Sequence, residues 1–445
     1  MDKGLGKLRI KRSLNGFSSE NYTYATAPAI GLPEDTLPFF SLSYALGNIY
    51  AKFSEPLYVF DEILLPPDDC EKAIKLYETY LKEAENFDVK VIGGHTGCYD
   101  GLEMPLIVTN AVGRKVNLNR EKPALGDNVL LIGKPFLESE WLEYLAGKSY
   151  NKIEWRKLTP VNFLKALYKT NEVKLLHDVS EGGLWGALLE IQENISLGIR
   201  LDENFYELLG GRSAADPSYG TVIAIADKAH YRSVCNKFED CAIIGEITRR
   251  EEGLTAKFSS ELVELYGAVS SWDVKLNKLA VFLKKVKTIK CLSELIPEVG
   301  TNVVLAESAG DPVEKIAGVD GRIVRSVKGI RVGKPAYGSS KHMALVLKEA
   351  MKSDPSIRVA INLRLHEGVV KVLKDMGYVL QEVKSTDSYC PVLEELKQKG
   401  LKSWALVEPP GYGLEGNIVL FSKDLDELLK LLARICESLQ KLFSF

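Results

Sequence analysis

Glutamine is scarce in this chain: four occur among 445 residues, beside abundant lysine and glutamate. Little glutamine beside many charges fits a thermophile, and an archaeal-like source is the expectation. Cys-x-x-Cys is absent, and the cysteines Cys70, Cys98, Cys235, Cys241, Cys291, Cys390 and Cys436 make an odd seven. That pattern indicates neither a disulfide framework nor a zinc site, so reduced, mostly buried thiols are the expectation. The segment "MDKGLGKLRIKRSLNGFSSE" holds no apolar run long enough for a signal-peptide core or a membrane helix. A cytosolic protein with no membrane partner is therefore expected. A formal net charge of -3 argues against a general nucleic-acid partner.

What is present is ordinary globular composition, 46% hydrophobic and 26% charged, without repeats or low-complexity segments. A single core stops growing at roughly 250–300 residues, so at least two domains are expected. "SLSYALGNIYAKF" predicts a helix and "PLYVFDEILLP" a strand. "DDCEKAIKLYETYLKEAENF" predicts a helix capped by Asp68 or Asp69, with Ile74, Tyr77 and Leu81 on its inner face. The expected divisions are an α/β half over 1–120, a second over 121–270, a linker helix over 271–290 and a third α/β unit over 291–445. The fold class is mixed, α/β or α+β.

"HDVSEGGLWGALLEI" places Asp178, Ser180 and Glu181 around Gly182 and Gly183 at the start of a helix. Such a turn offers N–H groups to a phosphate and carboxylates to its metal ion. It equally suits a Ser180 or Asp178 cap with glycines chosen for close packing. Taken with "VIGGHTG", "GDNVLLIGK" and "IIGEI" in that order, it resembles the aminoimidazole ribonucleotide synthetase-like superfamily, which includes PurM, HypE and thiamine-phosphate kinase. The likeness runs over roughly residues 20 to 250. It implies two PurM-like halves, ATP and magnesium where they meet, and a homodimer built by pairing sheets. The implied nucleotide contacts are Gly93, Gly94, His95, Thr96, Asp178, Ser180, Glu181, Gly182 and Gly183. The sequence also departs from this pattern: Ala27 stands where relatives carry an acidic metal ligand, and Gly47 and Asn48 replace Asn-Asp. Alanine cannot ligate a metal, which favours a scaffold or binding role over ATP-dependent catalysis. His95 reads either as a ligand or as a satisfied strand-end histidine.

"YGSSKHMALVLKEAM" spaces Met343, Val346, Leu347, Ala350 and Met351 as one buried helix face behind a Ser339 or Ser340 cap. Lys341 and His342 in the first turn oppose the helix dipole by roughly 0.3–1 kcal/mol unless an anion is bound. Arg322, Arg325, Arg358 and Asn362 lie on nearby strand-like segments and are candidate donors. A phosphate site and a surface cap both remain open on these residues. Together with "IPEVGTNVVLA", "AGVDGRIVR", "RVAINLRL" and "EPPGYGLEGNIVLF", the segment resembles the ThiN-type thiamine-phosphate synthase domain over about residues 291 to 440. That resemblance implies a three-layer α/β/α sandwich with a mixed sheet, of the class II aldolase type. The implied reaction joins hydroxymethylpyrimidine diphosphate to hydroxyethylthiazole phosphate with release of pyrophosphate, magnesium accompanying it. Arg322 and His342 fall on the family's functional positions. Gly338, Ser339, Ser340 and Lys341 would cradle a phosphate, Asn302 and Asn362 would orient substrate, and no metal ligand is assigned. A thiamine-phosphate sensor without turnover is one competing expectation; an ATP-dependent PurM- or HypE-like enzyme with an accessory carboxy-terminal domain is the other.

Overall fold

The computed structural model describes residues 11–13, 16–116, 120–327, 329–384, 390–411 and 415–443. Part of the Gly-rich turn of "EPPGYGLEGNIVLF", residues 412–414, lies outside them. The chain forms two compact units, Met1–Trp272 and Asp273–Phe445.

The first unit opens with six strands: β1 (Lys11–Ser13), β2 (Gly16–Ser18), β3 (Tyr22–Ile30), β4 (Ser54–Leu65), β5 (Val91–Cys98) and β6 (Leu106–Lys115). Their order in the sheet is β1-β2-β3-β6-β4-β5, with β4 and β5 parallel. Helix α1 (Leu37–Ala51) buries 13 of its 15 residues. Burial all round means that packed elements cover both of its sides. Only Tyr44 and Asn48, one turn apart, keep partial exposure. The opposite sheet face is open: β3 alternates strictly and exposes Tyr22, Tyr24 and Ile30, while β4 adds Phe60.

Helix α2 (Ala73–Asn86) buries Leu76, Tyr80, Glu83 and Ala84, not the stripe of Ile74, Tyr77 and Leu81. Two apolar stripes compete on this helix, and polar partners decide between them. The Tyr80 hydroxyl bonds Thr109 at 3.0 Å, and Glu83 accepts from Arg156 at 2.7 Å. Asp68 and Asp69 do not cap α2; they lie in the preceding 3-10 turn, where Asp69 pairs with Lys72 at 2.7 Å.

The second half holds β7 (Asn128–Ile132), β8 (Val173–Asp178), β9 (Gly198–Leu201), β10 (Val222–Ala226) and β11 (Cys241–Thr248), ordered β8-β10-β7-β11-β9 and antiparallel throughout. Its helices are α3 (Leu137–Leu145), α4 (Val161–Leu167), α5 (Gly183–Ile195), α6 (Glu203–Leu209) and α7 (Tyr231–Cys235). Leu184, Leu188 and Ile191 of α5 join Phe205 of α6 in a core with Val129, Leu131, Ile223 and Ile225.

In the second unit, helix α8 (Val274–Val286) corrects the expected linker over 271–290. Asp273 caps it by accepting the Leu276 N–H at 3.1 Å, and Leu279, Phe282, Leu283 and Val286 enter the core. An apolar stripe at this spacing must be buried somewhere, and this unit's own sheet receives it. The strands are β12 (Val303–Leu305), β13 (Ala317–Ser326), β14 (Gly329–Tyr337), β15 (Val359–Arg364), β16 (Gln381–Glu382), β17 (Ala405–Glu408) and β18 (Asn417–Ser422). Their order is β14-β13-β12-β15-β18-β17-β16. β16 and β17 run parallel within an otherwise antiparallel sheet, so it is mixed. The edge position of β14 tolerates Pro335.

Helices α9 (Lys341–Ser353) and α11 (Pro391–Lys399) cover one sheet face, against Val304, Ala360, Val419 and Phe421. On the other face, α8, α10 (Glu367–Asp375) and α12 (Leu425–Phe443) meet Val303, Leu305, Ile361, Leu363, Ile418 and Leu420. The period-2 alternation thus feeds two cores, giving the α/β/α layering. Each fully buried leucine or isoleucine contributes about 1.5–3 kcal/mol.

Six cysteines are paired, which overturns the expectation of reduced thiols. Cys70–Cys98, Cys235–Cys241 and Cys291–Cys436 have Cα separations of 5.9, 5.2 and 5.5 Å, within the bridging range. Their sequence separations of 28, 6 and 145 residues follow no local motif. Tertiary structure brings the first and third pairs together, and the short connection from α7 to β11 the second. Cys390 stays outside any disulfide and is buried.

Candidate active site

One end of the second unit's sheet gathers the chemistry. β13 carries a bulge between Asp320 and Ile323, with Gly321 at φ 75° and Arg322 at φ 60°. Left-handed backbone at a bulky residue is an outlier that costs about 1–3 kcal/mol. It presents Arg322 on the surface, where an Nη1 hydrogen bond to the Val299 carbonyl holds the guanidinium. His342 lies in the first turn of α9. Burial and the nearby Arg322 charge push its pKa below the ordinary histidine value. Gly338, at φ 65°, turns the chain from β14 into α9 and donates its N–H to the Ile316 carbonyl at 3.0 Å.

Neither serine caps α9. Ser340 occupies the N-cap without a side-chain bond, and Ser339 donates its hydroxyl to the Ala336 carbonyl at 3.2 Å. A Cβ at Gly318 would lie 2.6 Å from the Ser339 Oγ, so that glycine admits the serine. Without a side-chain cap, the first-turn N–H groups, exposed Lys341 and Arg322 offer donors and positive charge of the kind that suits an anion.

Other candidate residues hold the protein together instead. The Asn302 amide donates to the Val319 carbonyl at 2.9 Å and accepts the Val319 N–H at 3.1 Å. The Asn362 amide accepts the Asn302 N–H at 2.7 Å and donates to the Gly300 carbonyl at 3.2 Å. Both are buried braces between strands. Arg325 is committed through Nε and Nη2 to the Ile296 carbonyl. Arg358 donates to the carbonyls of Pro355 and Ile357. It precedes Asn362 by four residues on an extended chain, about 13 Å along the strand and away from this end.

The first unit has a separate cavity of about 560 Å³. Ala27 of β3, Tyr44 and Asn48 of α1, Glu138 of α3 and Asp178 of β8 line it, with Ser180 and Glu181. Glu138 accepts from the Tyr266 hydroxyl at 2.6 Å and the Tyr219 N–H at 2.7 Å. Burial pushes its pKa up to about 7 against those two bonds. His177 engages Glu190 at 3.0 Å and the Asp178 carbonyl at 2.5 Å. Burial raises the Asp178 carboxyl above the usual range, opposed by His177.

Gly183 donates to the Ser180 carbonyl at 2.9 Å, and a Cβ there would come within 2.5 Å of the Asp216 carbonyl. Its role is close packing; Gly182, before it, is the N-cap of α5. Gly93, Gly94, His95 and Thr96 are not brought to the cavity. They lie on edge strand β5, where His95 bonds the Tyr99 hydroxyl at 2.7 Å and Gly94 leaves room for the Asp61 carboxylate.

Residues 278–434 match the family described as Thiamine-phosphate synthase ThiN. Residues 148–257 match the AIR synthase related protein, C-terminal domain. The chain is similar to "Bifunctional thiamine biosynthesis protein ThiDN" of Methanocaldococcus jannaschii, 35% identical over 114 residues, 22% of this chain and 27% of that protein. The chain thus spans about a quarter of that relative's length. It is also similar to "Thiamine-phosphate synthase ThiN" of Methanothermobacter thermautotrophicus, 27% identical over 175 residues, 36% of this chain and 91% of that protein. Among solved structures, E. coli HypE matches with 15% identity and a TM-score of 0.45, over 56% of this chain and 84% of that one.

Sequence reasoning missed three residues of the ThiN-matching unit. Cys390 stands 2.6 Å from His342, although 48 residues separate them in the chain. Glu415 joins Arg364 at 2.6 Å and accepts the Glu298 N–H at 2.8 Å. Only the glutamate after the Gly-rich turn pointed toward this network.

In the first unit the cavity residues do not fit magnesium-bound ATP. Glu138 and Glu190 already have partners, and the lining contains no lysine or arginine to face a triphosphate. Among the described residues, no three His, Cys, Asp or Glu side chains form a metal-ligand set. No helix among them is long and apolar enough to cross a membrane.

Proposed function

We propose that the ThiN-matching unit joins hydroxymethylpyrimidine diphosphate to hydroxyethylthiazole phosphate, giving thiamine phosphate and pyrophosphate. The observation that carries this reading is Arg322, held in a left-handed bulge beside His342 at an uncapped helix start. In this reaction the carbon–oxygen bond to the diphosphate breaks, its electron pair leaves with pyrophosphate, and the thiazole nitrogen bonds the freed carbon. The Arg322 guanidinium stabilises negative charge as it develops on the leaving oxygens. Lys341 and the first-turn N–H groups of α9 hold phosphate, and His342 donates a hydrogen bond to it. Magnesium enters with the diphosphate as part of the substrate.

The PurM-like unit serves as a non-catalytic scaffold, pairing two copies of the chain through the open six-stranded sheet face. Its exposed Tyr22, Tyr24, Ile30 and Phe60 favour that role.

The test incubates the purified chain with both precursors and magnesium, then oxidises any product to fluorescent thiochrome. The expected outcome is product formation that falls about 100-fold or more in Arg322→Ala and also falls in His342→Ala. Tight thiamine-phosphate binding without turnover would replace the synthase reading with a sensor.

A further inference from the structure

Helices α9 and α11 begin on the same sheet face, and the pair His342 and Cys390 joins their starts. Cys390 is the N-cap of α11, where its Sγ accepts the Leu393 N–H at 3.3 Å. The same sulfur lies 2.6 Å from His342 Nε2. Burial holds the thiol protonated; the Glu408 and Glu394 carboxylates add to this, against the Leu393 N–H and Lys397. A sulfur that accepts from Leu393 as a neutral thiol has one hydrogen to give, and Nε2 is within its reach. Partial burial and the Arg322 charge lower the His342 pKa and so favour the neutral imidazole. A neutral imidazole that accepts at Nε2 carries its hydrogen on Nδ1.

We propose that Cys390 is a positioning residue: its thiol donates to His342 Nε2 and fixes the imidazole as the Nδ1–H tautomer, a hydrogen-bond donor for a substrate phosphate oxygen. The substrate half of this statement rests on the thiamine-phosphate synthase reading; the tautomer does not. It sharpens the role of His342. A neutral Nδ1–H group donates a hydrogen bond without surrendering its proton, so pyrophosphate leaves as the anion and Arg322 bears the charge compensation. It also explains why thiol and imidazole sit together yet form no nucleophilic pair: the thiol keeps its hydrogen and His342 is the acceptor.

The test uses the full chain, uniformly labelled with 15N, and reads the His342 ring nitrogens by long-range proton–nitrogen correlation. The expected parent spectrum shows a protonated Nδ1 and an unprotonated Nε2. Cys390→Ser keeps both a hydroxyl donor and a good N-cap, and retains that pattern. Cys390→Ala mixes the tautomers and raises the His342 titration midpoint.

In the thiochrome assay Cys390→Ala lowers kcat roughly five- to tenfold, the worth of about one hydrogen bond, with little change in KM, and Cys390→Ser restores it. A parent spectrum with Nε2 protonated, or unaltered ring shifts in Cys390→Ala, overturns the proposal. If Cys390→Ala fails to fold, the parent and Cys390→Ser spectra still decide it. The expected tautomer in a protein that makes no thiamine phosphate would sink the synthase reading and leave the positioning role standing. Synthesis by a protein with the opposite tautomer would do the reverse.

Discussion

Asn362 accepts the backbone N–H of Asn302 through its side-chain oxygen at 2.7 Å, and Asn302 in turn bonds both backbone groups of Val319. This chain of buried amides ties β15 through the start of β12 to β13, the strand that carries Arg322. Truncating either amide leaves backbone groups unpaired in the interior. Asn302→Ala and Asn362→Ala should each lower stability by about 2–3 kcal/mol, measured by denaturant unfolding, with a smaller effect on substrate affinity at low temperature. A large loss of affinity at unchanged stability would return both residues to substrate contact.

Arg322 pays for its exposure with a left-handed backbone, and two substitutions isolate that cost. Arg322→Gly and Arg322→Ala both remove the guanidinium and its bond to Val299. Only glycine adopts φ 60° freely. The glycine variant should therefore be more stable than the alanine variant by about 1 kcal/mol, while both lose synthase activity. Equal stabilities in calorimetry would mean that the bulge is unstrained.

The layering of the second unit was legible because its strands alternate strictly: Val303 and Leu305 face one core and Val304 the other. Lys341 and His342 were legible as a candidate site because first-turn positive charge makes little sense at a helix start without an anion, whereas Arg322 on β13 was singled out only through the family resemblance. The braces were not legible. Asn302 and Asn362 look alike as substrate contacts or structural links until a strand partner is known. Cys390 lay hidden because its meaning comes from a histidine 48 residues away, and Cys70–Cys98 and Cys291–Cys436 were hidden for the same reason. The face of α2 was misread because two helical stripes compete there, and the one buried carries Tyr80 and Glu83, whose partners Thr109 and Arg156 were not visible in the sequence.

The open face of the six-stranded sheet yields a prediction about assembly. Phe60 is exposed on β4, and Tyr22 and Tyr24 are exposed on β3. Replacing Phe60 with glutamate places a charge on that face. Light scattering should show a dimer for the parent chain and a monomer for Phe60→Glu, with unfolding midpoints close together. A dimer that survives the substitution would move the interface elsewhere.

Asp61 is the least comfortable group in the core. It is 1% exposed on β4, and neither carboxylate oxygen finds a hydrogen-bond partner. Burial raises its pKa to about 6, above the ordinary aspartate value of about 3.9. A carboxyl that holds its proton more tightly when folded stabilises the fold at low pH, where both states are protonated. That contribution is lost as pH climbs from about 4 to about 6. At neutral pH the ionised group costs at most about 3 kcal/mol, from roughly two pKa units at 1.36 kcal/mol each. Asp61→Asn carries no charge to bury. It should unfold at a higher temperature than the parent at pH 7 and lose most of the advantage by pH 4. An unchanged pH profile in the variant would show that another group titrates in that window.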